Sequence, residues 1–273
     1  YIFNAVFWII VMFLILYPLY LVIIASVSDP DAIVAGKVIW HPVDFSFIGY
    51  QSIFKYSEML HSYANSIFYT VVSVSISIVV TLAAAYTLSR PEFIGKGLIN
   101  LFFVFTMFFN GGLIPTFLVM KDIGLYNTPM IMILMGCVSV WNLMVARTYI
   151  QTNIPHELYE AAMLDGTTHF QYFFKIVLPL SKAALASIGL MYAVQFWNDY
   201  TNFKIYINKN ELFNFQMKLR NMVMDNDIPD EGGIDPNTIA NAAVIVAILP
   251  FAIIYPFCQK YFVQGVNVGA VKE

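Results

Sequence analysis

The chain has 273 residues, of which 59% are hydrophobic and 11% are charged, and its formal net charge is −3. A soluble domain carries roughly twice that charged fraction, so the composition excludes a soluble enzyme and indicates an integral membrane protein. Lys and Arg form no basic run, and we therefore expect no nucleic acid partner.

Six apolar stretches are long enough to cross a bilayer, for which about 20 residues are needed. The sequence therefore predicts an all-α integral membrane protein with six transmembrane helices. The predicted spans cover roughly residues 2–27, 63–89, 98–120, 128–149, 180–203 and 238–260. The polar connections between them are 28–62, 90–97, 121–127, 150–179 and 204–237. The chain starts at Tyr1 without Met. We therefore expect a short basic tail before it, and no cleavable signal is visible.

The orientation follows from the shortest connections. If both ends are cytoplasmic, Lys and Arg are equally numerous on the two sides, so their count alone decides nothing. Long loops cross the membrane largely regardless of charge, whereas Arg90 and Lys96 lie together in one short loop. We therefore predict a multi-pass protein of the cytoplasmic membrane with both termini inside, which places 150–179 in the cytoplasm and 204–237 outside.

The predicted spans contain almost no ionisable residue, and Asp199 and Arg147 lie near span ends. A carboxylate at the centre of a span costs on the order of 3 kcal/mol on insertion scales, which proton and ion relays accept. The pattern argues against a proton-driven carrier and against a channel with charged rings. The energy for transport would therefore come from outside the spans. Cys137 and Cys258 have no partner at ligand spacing and the histidines are scattered, so we expect no metal site.

Uncharged polar residues follow one face of the second span, at positions 66, 70, 73, 77 and 81. Ser73 and Ser77 are candidates for a solute pathway, and helix packing through small hydroxyl residues is the alternative. The third span contains Asn110-Gly111-Gly112-Leu113-Ile114-Pro115, which predicts a break or kink. Irregular backbone at membrane depth persists only where protein or water surrounds it. Asn110 and Gly111 are therefore candidates for a hinge or pathway lining, and an external helix end is the alternative.

The segment before the fifth span predicts two short helices. Pro155 suits the first turn of a helix, and Asp165-Gly166 ends it because Gly adopts the left-handed conformation of a C-cap. Thr168 and Gln171 have capping-box spacing and start a second helix, which Pro179 ends. Helical spacing gives the first helix two faces: Leu158, Ala161 and Ala162 on one, and Glu157, Glu160 and Leu164 on the other. A helix of about ten residues is marginal alone, so it must dock against another surface.

Gln195 and Asn198 share one face of the predicted fifth span, and Trp197 and Tyr200 adjoin them. Amides beside aromatic rings suit a neutral, hydroxyl-rich solute, because amides bond hydroxyls and rings stack on C–H surfaces. The alternatives are helix packing for the amides and an interfacial aromatic belt for the rings. The loop 204–237 is interpreted as a surface for a partner, or alternatively as a solvated loop.

The segment Glu160-Ala161-Ala162, with Gly166 four residues later and Ile176-Val177-Leu178-Pro179 after nine more, resembles a known signature. It is that of the permeases of binding-protein-dependent ABC importers. Segments 111–115, 124–128 and 196–199 are similar to the carbohydrate-uptake branch, most of all to the second six-span permease of maltose-type and oligosaccharide importers.

The resemblance implies that the helix after Pro155 is a cytoplasmic coupling helix lying in a cleft of an ATPase. Its implied site residues are Glu157, Glu160, Ala161, Ala162, Asp165 and Gly166. The alanines would allow close approach, Glu160 would meet a basic group, and Gly166 would permit the sharp turn.

The resemblance also implies the partners: a second permease, two ATPase subunits that bind ATP and Mg, and an extracellular solute-binding protein contacting 204–237. The chain has no Gly-rich phosphate loop ending in Gly-Lys-Ser/Thr, so we expect neither enzymatic activity nor a cofactor in it. The expected function is import of a sugar or oligosaccharide. A non-sugar solute such as a peptide, and an ion-coupled carrier, are the alternatives.

Overall fold

The computed structural model describes residues 2–225 and 236–270, and every regular element in those ranges is helical. The expected all-α class is therefore confirmed for this part of the chain. The described residues form two compact units. Unit 1 contains the residues up to Ser66 together with Lys209–Ile253, and unit 2 contains Ile67–Asn208 and the residues from Ile254 onward. The helices Ser57–Ser89 and Pro236–Ala270 contribute residues to both units.

Unit 1 is built from long apolar helices and short connecting ones. Its helices are α1 (Ile2–Ser26), α2 (Pro30–Val34), α3 (Ile48–Lys55), the first part of α4 (Ser57–Ser89), a 3₁₀ turn (Asn210–Leu212), α14 (Phe215–Asp225) and the first part of α15 (Pro236–Ala270). Side chains of α1 are exposed over most of its length, as its apolar composition requires of a helix that faces lipid or a partner.

The core of unit 1 lies between α3, α14 and α15. Ile53, Phe215 and Ile239 are among its fully buried side chains. A Cβ added at Gly49 would lie 2.8 Å from the backbone oxygen of Thr238, so only glycine permits this approach of α3 to α15. Residues 204–225 of the predicted external loop are largely helical, and the rest of that loop up to 235 lies outside the described residues.

Unit 2 carries the predicted coupling segment and the predicted pathway. Its helices are the rest of α4 and α15, α5 (Lys96–Phe108), α6 (Leu113–Asp122), α7 (Pro129–Leu134), α8 (Val140–Asn153), α9 (His156–Leu164), α10 (His169–Tyr172), a π-helical turn (Phe173–Val177), α11 (Leu178–Leu180), α12 (Lys182–Trp197) and α13 (Thr201–Tyr206). Its core includes Leu143, Ala146, Tyr172, Ile188 and Tyr192, all nearly or fully buried.

Three of the predicted spans are single long helices, in α1, α4 and α15. The third is a bent helix pair, in which α5 and α6 meet at 114°. In the fifth, α12 meets the segment His169–Leu180, most of which belongs to the predicted connection 150–179, at 79°. The predicted break at Asn110-Gly111-Gly112 is thus confirmed. Three to five helical spans are long and apolar enough to cross a membrane within the described ranges, and the count of six stays a prediction.

The fourth predicted span is wrong as a continuous helix. Residues 135–139 interrupt it, between α7 and α8. Gly136 has a φ of +84°, a backbone conformation that strains other residues, so the chain turns at a position that favours glycine. The side chain of Ser139 then caps α8 by accepting from the N–H of Asn142. The fifth span also differs, since α12 covers only Lys182–Trp197 of the predicted 180–203.

Candidate coupling surface and solute pathway

Helix α9 begins and ends where its sequence predicts. Pro155 occupies the N-cap, one residue before the first helical position. Gly166 has a φ of +72°, its N–H donates to the carbonyl oxygen of Met163, and the N–H of Thr167 donates to that of Ala162, each at 3.0 Å. This bonding pattern is a Schellman motif, which satisfies carbonyls that would otherwise be unpaired at the helix end. The local sequence thus fixes both ends of the helix.

The predicted capping box at the next helix is also present. The N–H of Gln171 donates to Oγ1 of Thr168 at 3.3 Å, and the N–H of Thr168 donates to Oε1 of Gln171 at 3.2 Å. The helical segment continues through the π-helical turn to Leu180, one residue beyond Pro179, and the chain bends there. Insertion of π-helical residues changes the direction in which later side chains point.

The faces of α9 differ from the predicted ones. Ala162 is 6% exposed, with Tyr159 and Met163 half-buried on the same side, whereas Leu158 and Ala161 are exposed. The reason is that Tyr159 has far more apolar area to bury than the alanines, and its interactions set the rotation of the helix. The grouping of Leu158 and Ala161 with Ala162 is therefore wrong.

The exposed face of α9 combines acidic and apolar side chains. Leu164 is 88% exposed, and Leu158 and Ala161 are exposed on the same helix. The members of this face are Glu157, Leu158, Glu160, Ala161, Leu164 and Asp165. Its chemistry suits a partner cleft that offers apolar area together with basic groups.

Arg90 holds the inner face of α9 in place, a role that the sequence analysis did not assign to it. Its guanidinium carbon lies 3.4 Å from the ring centre of Tyr159, 5.4 Å from that of Tyr172 and 5.6 Å from that of Tyr86. The Tyr159 and Tyr172 rings also meet edge to face at 5.2 Å. In the sequence, this contact was indicated only by a basic residue at the end of a predicted span and by tyrosines in the segment 150–179. We call Arg90, Glu92 and these three tyrosines the Arg90 cluster.

Glu92 connects the same loop to the beginning of α9. Its Oε1 lies 3.0 Å from Nε2 of His156, and the Nδ1 of His156 lies 3.3 Å from Oε1 of Glu160. A protonated imidazole can donate to both carboxylates at once. Partial burial raises the pKa of Glu92, but hydrogen bonds from its own backbone N–H and from His156, with the charge of Arg90, outweigh it and lower the pKa overall.

An open apolar cleft of about 1050 Å³ lies beside the Arg90 cluster. It runs between the C-terminal half of α4 together with the residues just after it, from Ile78 to Phe93, and the segment from His169 to Leu185. Its walls are mainly aliphatic and phenylalanine side chains. Such walls suit an apolar occupant better than a hydroxyl-rich solute.

The predicted pathway residues of the fifth span lie in different environments. Gln195 is exposed, and its Nε2 donates to the carbonyl oxygen of Gly136 at 3.4 Å. Asn198 is the exposed C-cap of α12, and its Nδ2 donates to the carbonyl oxygen of Val194 at 3.0 Å. Trp197 is buried, and Tyr200 is half-buried with Nζ of Lys204 5.6 Å from its ring centre. Gln195 and Asn198 therefore keep surfaces that a solute could reach, whereas Trp197 packs inside.

The other pathway candidates lie on different elements. Ser73 and Ser77 are fully buried within unit 2, which favours the packing interpretation. Asn110 and Gly111 are exposed at the break between α5 and α6, where Oδ1 of Asn110 accepts from the N–H of Gly112 at 2.8 Å. The structure thus does not gather the eight candidates into one cavity of this chain.

Comparisons with known proteins match nearly the whole chain. Residues 63–268 match the family described as "Binding-protein-dependent transport system inner membrane component". The polygalacturonan/rhamnogalacturonan transport system permease protein YtcP of Bacillus subtilis is 39% identical, over 92% of this chain and 90% of the relative. The arabinooligosaccharides transport system permease protein AraQ of Halalkalibacterium halodurans is 27% identical, over 95% and 92%.

A solved structure is similar along the same length. It is a bacterial ABC transporter involved in the import of the acidic polysaccharide alginate, and one of its chains superimposes with a TM-score of 0.91. That chain is 33% identical in sequence, and the match covers 96% of the present chain and 95% of the other. The resemblance stated from the sequence is confirmed by these matches.

Proposed function

The chain belongs to the family of binding-protein-dependent transport system inner membrane components, and from that premise we propose that it is a permease subunit of an ATP-driven ABC importer for a sugar or oligosaccharide. The observation that carries the proposal is the exposed face of α9. One face of α9 packs within this chain, and the opposite acidic and apolar face is exposed, which suits contact with a partner; in an importer of this family that partner would be an ATPase subunit.

The complete importer then has the following composition. A second permease pairs with this chain, two cytoplasmic ATPase subunits bind ATP and Mg and hydrolyse ATP, and an extracellular protein delivers the solute. In this arrangement the chain crosses the cytoplasmic membrane six times with both termini inside. Helix α9 lies between spans four and five in a cleft of one ATPase subunit, with Glu160 facing a basic group. Gln195 and Asn198 face the solute.

We further propose that the solute is an oligosaccharide that carries uronic acids. Support comes from two relatives whose names specify acidic glycans: the polygalacturonan/rhamnogalacturonan permease and the alginate importer. The spans of this chain are almost free of charge, so the carboxylates of such a solute would be met largely by the partner permease. A peptide is less favoured, because the named relatives carry saccharides.

The test uses two glycines with the same local geometry. Gly166 and Gly124 both follow a helix with positive φ, both donate to a carbonyl three residues back at 3.0 Å, and an added Cβ would meet nothing within 4 Å at either. Proline cannot adopt positive φ and has no N–H, so Gly166→Pro and Gly124→Pro impose the same backbone defect in two places.

In the reconstituted complex, Gly166→Pro should abolish both oligosaccharide uptake and oligosaccharide-stimulated ATP hydrolysis while the subunit remains in the membrane. Gly124→Pro should retain at least half of both activities. Glu160→Lys should also abolish uptake, because it reverses the charge on the exposed face of α9. Normal stimulated hydrolysis by the Gly166→Pro complex would refute the assignment of α9 as the coupling helix.

A further inference from the structure

The Arg90 cluster joins two elements that are far apart in the sequence. Arg90 directly follows α4, which ends at Ser89, whereas Tyr159 is in the middle of α9. The central carbon of the guanidinium lies 3.4 Å from the centre of the Tyr159 ring, and the Arg90 side chain is only 14% exposed. A cation so far removed from water is stabilised by the ring faces around it and by the nearby carboxylate.

A second contact links the same two elements one turn earlier on α9. Glu92 reaches His156, and Nε of Arg90 lies 3.6 Å from the other oxygen of Glu92. Residues 90 and 92 therefore hold α9 at its first residue and at its centre. These contacts join α9 to the residues that directly follow α4, and Ala162 of α9 lies in the same buried cluster as Leu82 and Leu88 of α4.

Helix α4 in turn is joined to α12 and to the start of α8. The hydroxyl of Thr81 shares a hydrogen bond of 2.8 Å with the hydroxyl of buried Tyr192, which also accepts from the N–H of Ser139 at 3.0 Å. A displacement of α9 that is transmitted to α4 thus reaches the helix that carries Gln195.

We propose that Arg90 is a positioning residue for transport: it clamps the ring of Tyr159 so that a movement of α9 displaces α4 as well. This inference rests on the proposed function and adds a route by which movement at the ATPase contact enters the membrane. This role differs from a purely stabilising one. Loss of the Arg90 clamp should leave the complex assembled and hydrolysing ATP, but without coupled transport.

The first test measures the number of oligosaccharide molecules imported per ATP hydrolysed in proteoliposomes containing the complete complex. Arg90→Gln should lower this ratio at least tenfold while basal ATP hydrolysis stays within twofold of the unmodified complex. Arg90→Lys should recover part of the ratio, because an ammonium keeps the charge but lacks the planar group that stacks on the ring. Lys96→Gln is the matched control, since Lys96 is a basic residue at the start of α5 whose Nζ donates to the backbone oxygens of residues 90 and 91. It should leave the ratio unchanged.

The second test separates the ring from the hydroxyl of Tyr159. Tyr159→Phe keeps the ring and loses only the contact of its hydroxyl with Nδ1 of His169 at 3.4 Å, so it should resemble the unmodified protein. Tyr159→Leu removes the ring and should behave like Arg90→Gln. Equal loss in Tyr159→Phe and Tyr159→Leu, or proportional loss of hydrolysis and uptake in Arg90→Gln at normal complex yield, would overturn the proposal.

A third measurement tests whether Arg90 restrains α9 without measuring transport. A spin label on Leu164→Cys, with Cys137 and Cys258 replaced by Ala, should be more restricted in the purified subunit, free of ATPase, than in the same subunit carrying Arg90→Gln. Equal mobility would contradict the clamp. If the unmodified complex imports no saccharide with ATP, the proposed function fails, and this measurement still decides whether Arg90 holds α9.

Discussion

The hydroxyl of Tyr192 provides the sharpest test of how α4 is held within unit 2. Tyr192 is fully buried, and Tyr192→Phe leaves two groups without their partner: the buried hydroxyl of Thr81 and the N–H of Ser139. An orphaned buried group costs about 1–3 kcal/mol in soluble proteins. Hydrogen bonds between membrane helices average about 0.6 kcal/mol and reach about 1.7 kcal/mol. We therefore expect Tyr192→Phe to lower the free energy of unfolding by about 1–3 kcal/mol.

A double-mutant cycle isolates the bond between the two hydroxyls. Thr81→Val removes that bond but leaves the Tyr192 hydroxyl paired with Ser139, so it should cost about 0.5–1.7 kcal/mol. Because the bond can be lost only once, the double variant should be less destabilised than the sum of the singles by about 0.5–1.5 kcal/mol. Unfolding of the purified subunit in mixed micelles with rising SDS fraction, followed by tryptophan fluorescence, gives these values.

Tyr149→Phe is the matched control for the cycle. Its hydroxyl donates to the carbonyl oxygen of Leu180 at 3.3 Å in an exposed position, so its loss should change stability by less than about 0.5 kcal/mol. Strictly additive effects of Tyr192→Phe and Thr81→Val would refute the reasoning, as would a Tyr192→Phe effect as small as that of the control.

Two further predictions concern α9 and its contacts. Ala162→Leu should lower the free energy of unfolding by about 1–3 kcal/mol, because the larger side chain overpacks a buried position. Ala161→Leu, at an exposed position, should leave the melting temperature of the subunit unchanged and weaken stimulation of ATP hydrolysis. The reverse pattern would contradict the observed rotation of α9. The pKa of Glu92 is lowered in the fold from its ordinary value of 4.5, so its stabilising contribution is fully present above that value and is lost as pH falls through the folded pKa. The difference in melting temperature between the unmodified protein and Glu92→Gln should therefore persist from about pH 7 down to about pH 4.5 and shrink as the buffer becomes more acidic than that. A difference independent of pH would contradict this.

The parts of the structure that the sequence predicted are those fixed by local chemistry. The ends of α9 depend on Pro155 and Gly166, and the capping box depends on Thr168 and Gln171, which are neighbours in the sequence. The break in the third span likewise follows from adjacent glycines and a proline. Local backbone preferences are sufficient at these positions, because no distant residue is needed to decide them.

The parts that the sequence did not predict depend on contacts between distant residues. The break in the fourth span includes Gly136, whose φ of +84° and hydrogen bond from the distant amide of Gln195 cannot be predicted from an apolar stretch. The rotation of α9 is set by the stacking of Tyr159 on Arg90, which no helical periodicity reveals. The burial of Ser73 and Ser77 is decided by the neighbouring helices in the same way. The assignment of solute-contacting residues stays a prediction.

The most direct test of the proposed function is uptake of a labelled uronic-acid oligosaccharide into proteoliposomes that contain the complete importer. We expect uptake to require both the solute-binding protein and hydrolysable ATP, to be absent with a non-hydrolysable ATP analogue, and to be unaffected by collapse of a proton gradient. Uptake by this chain alone, driven by a proton gradient without ATP, would contradict the account.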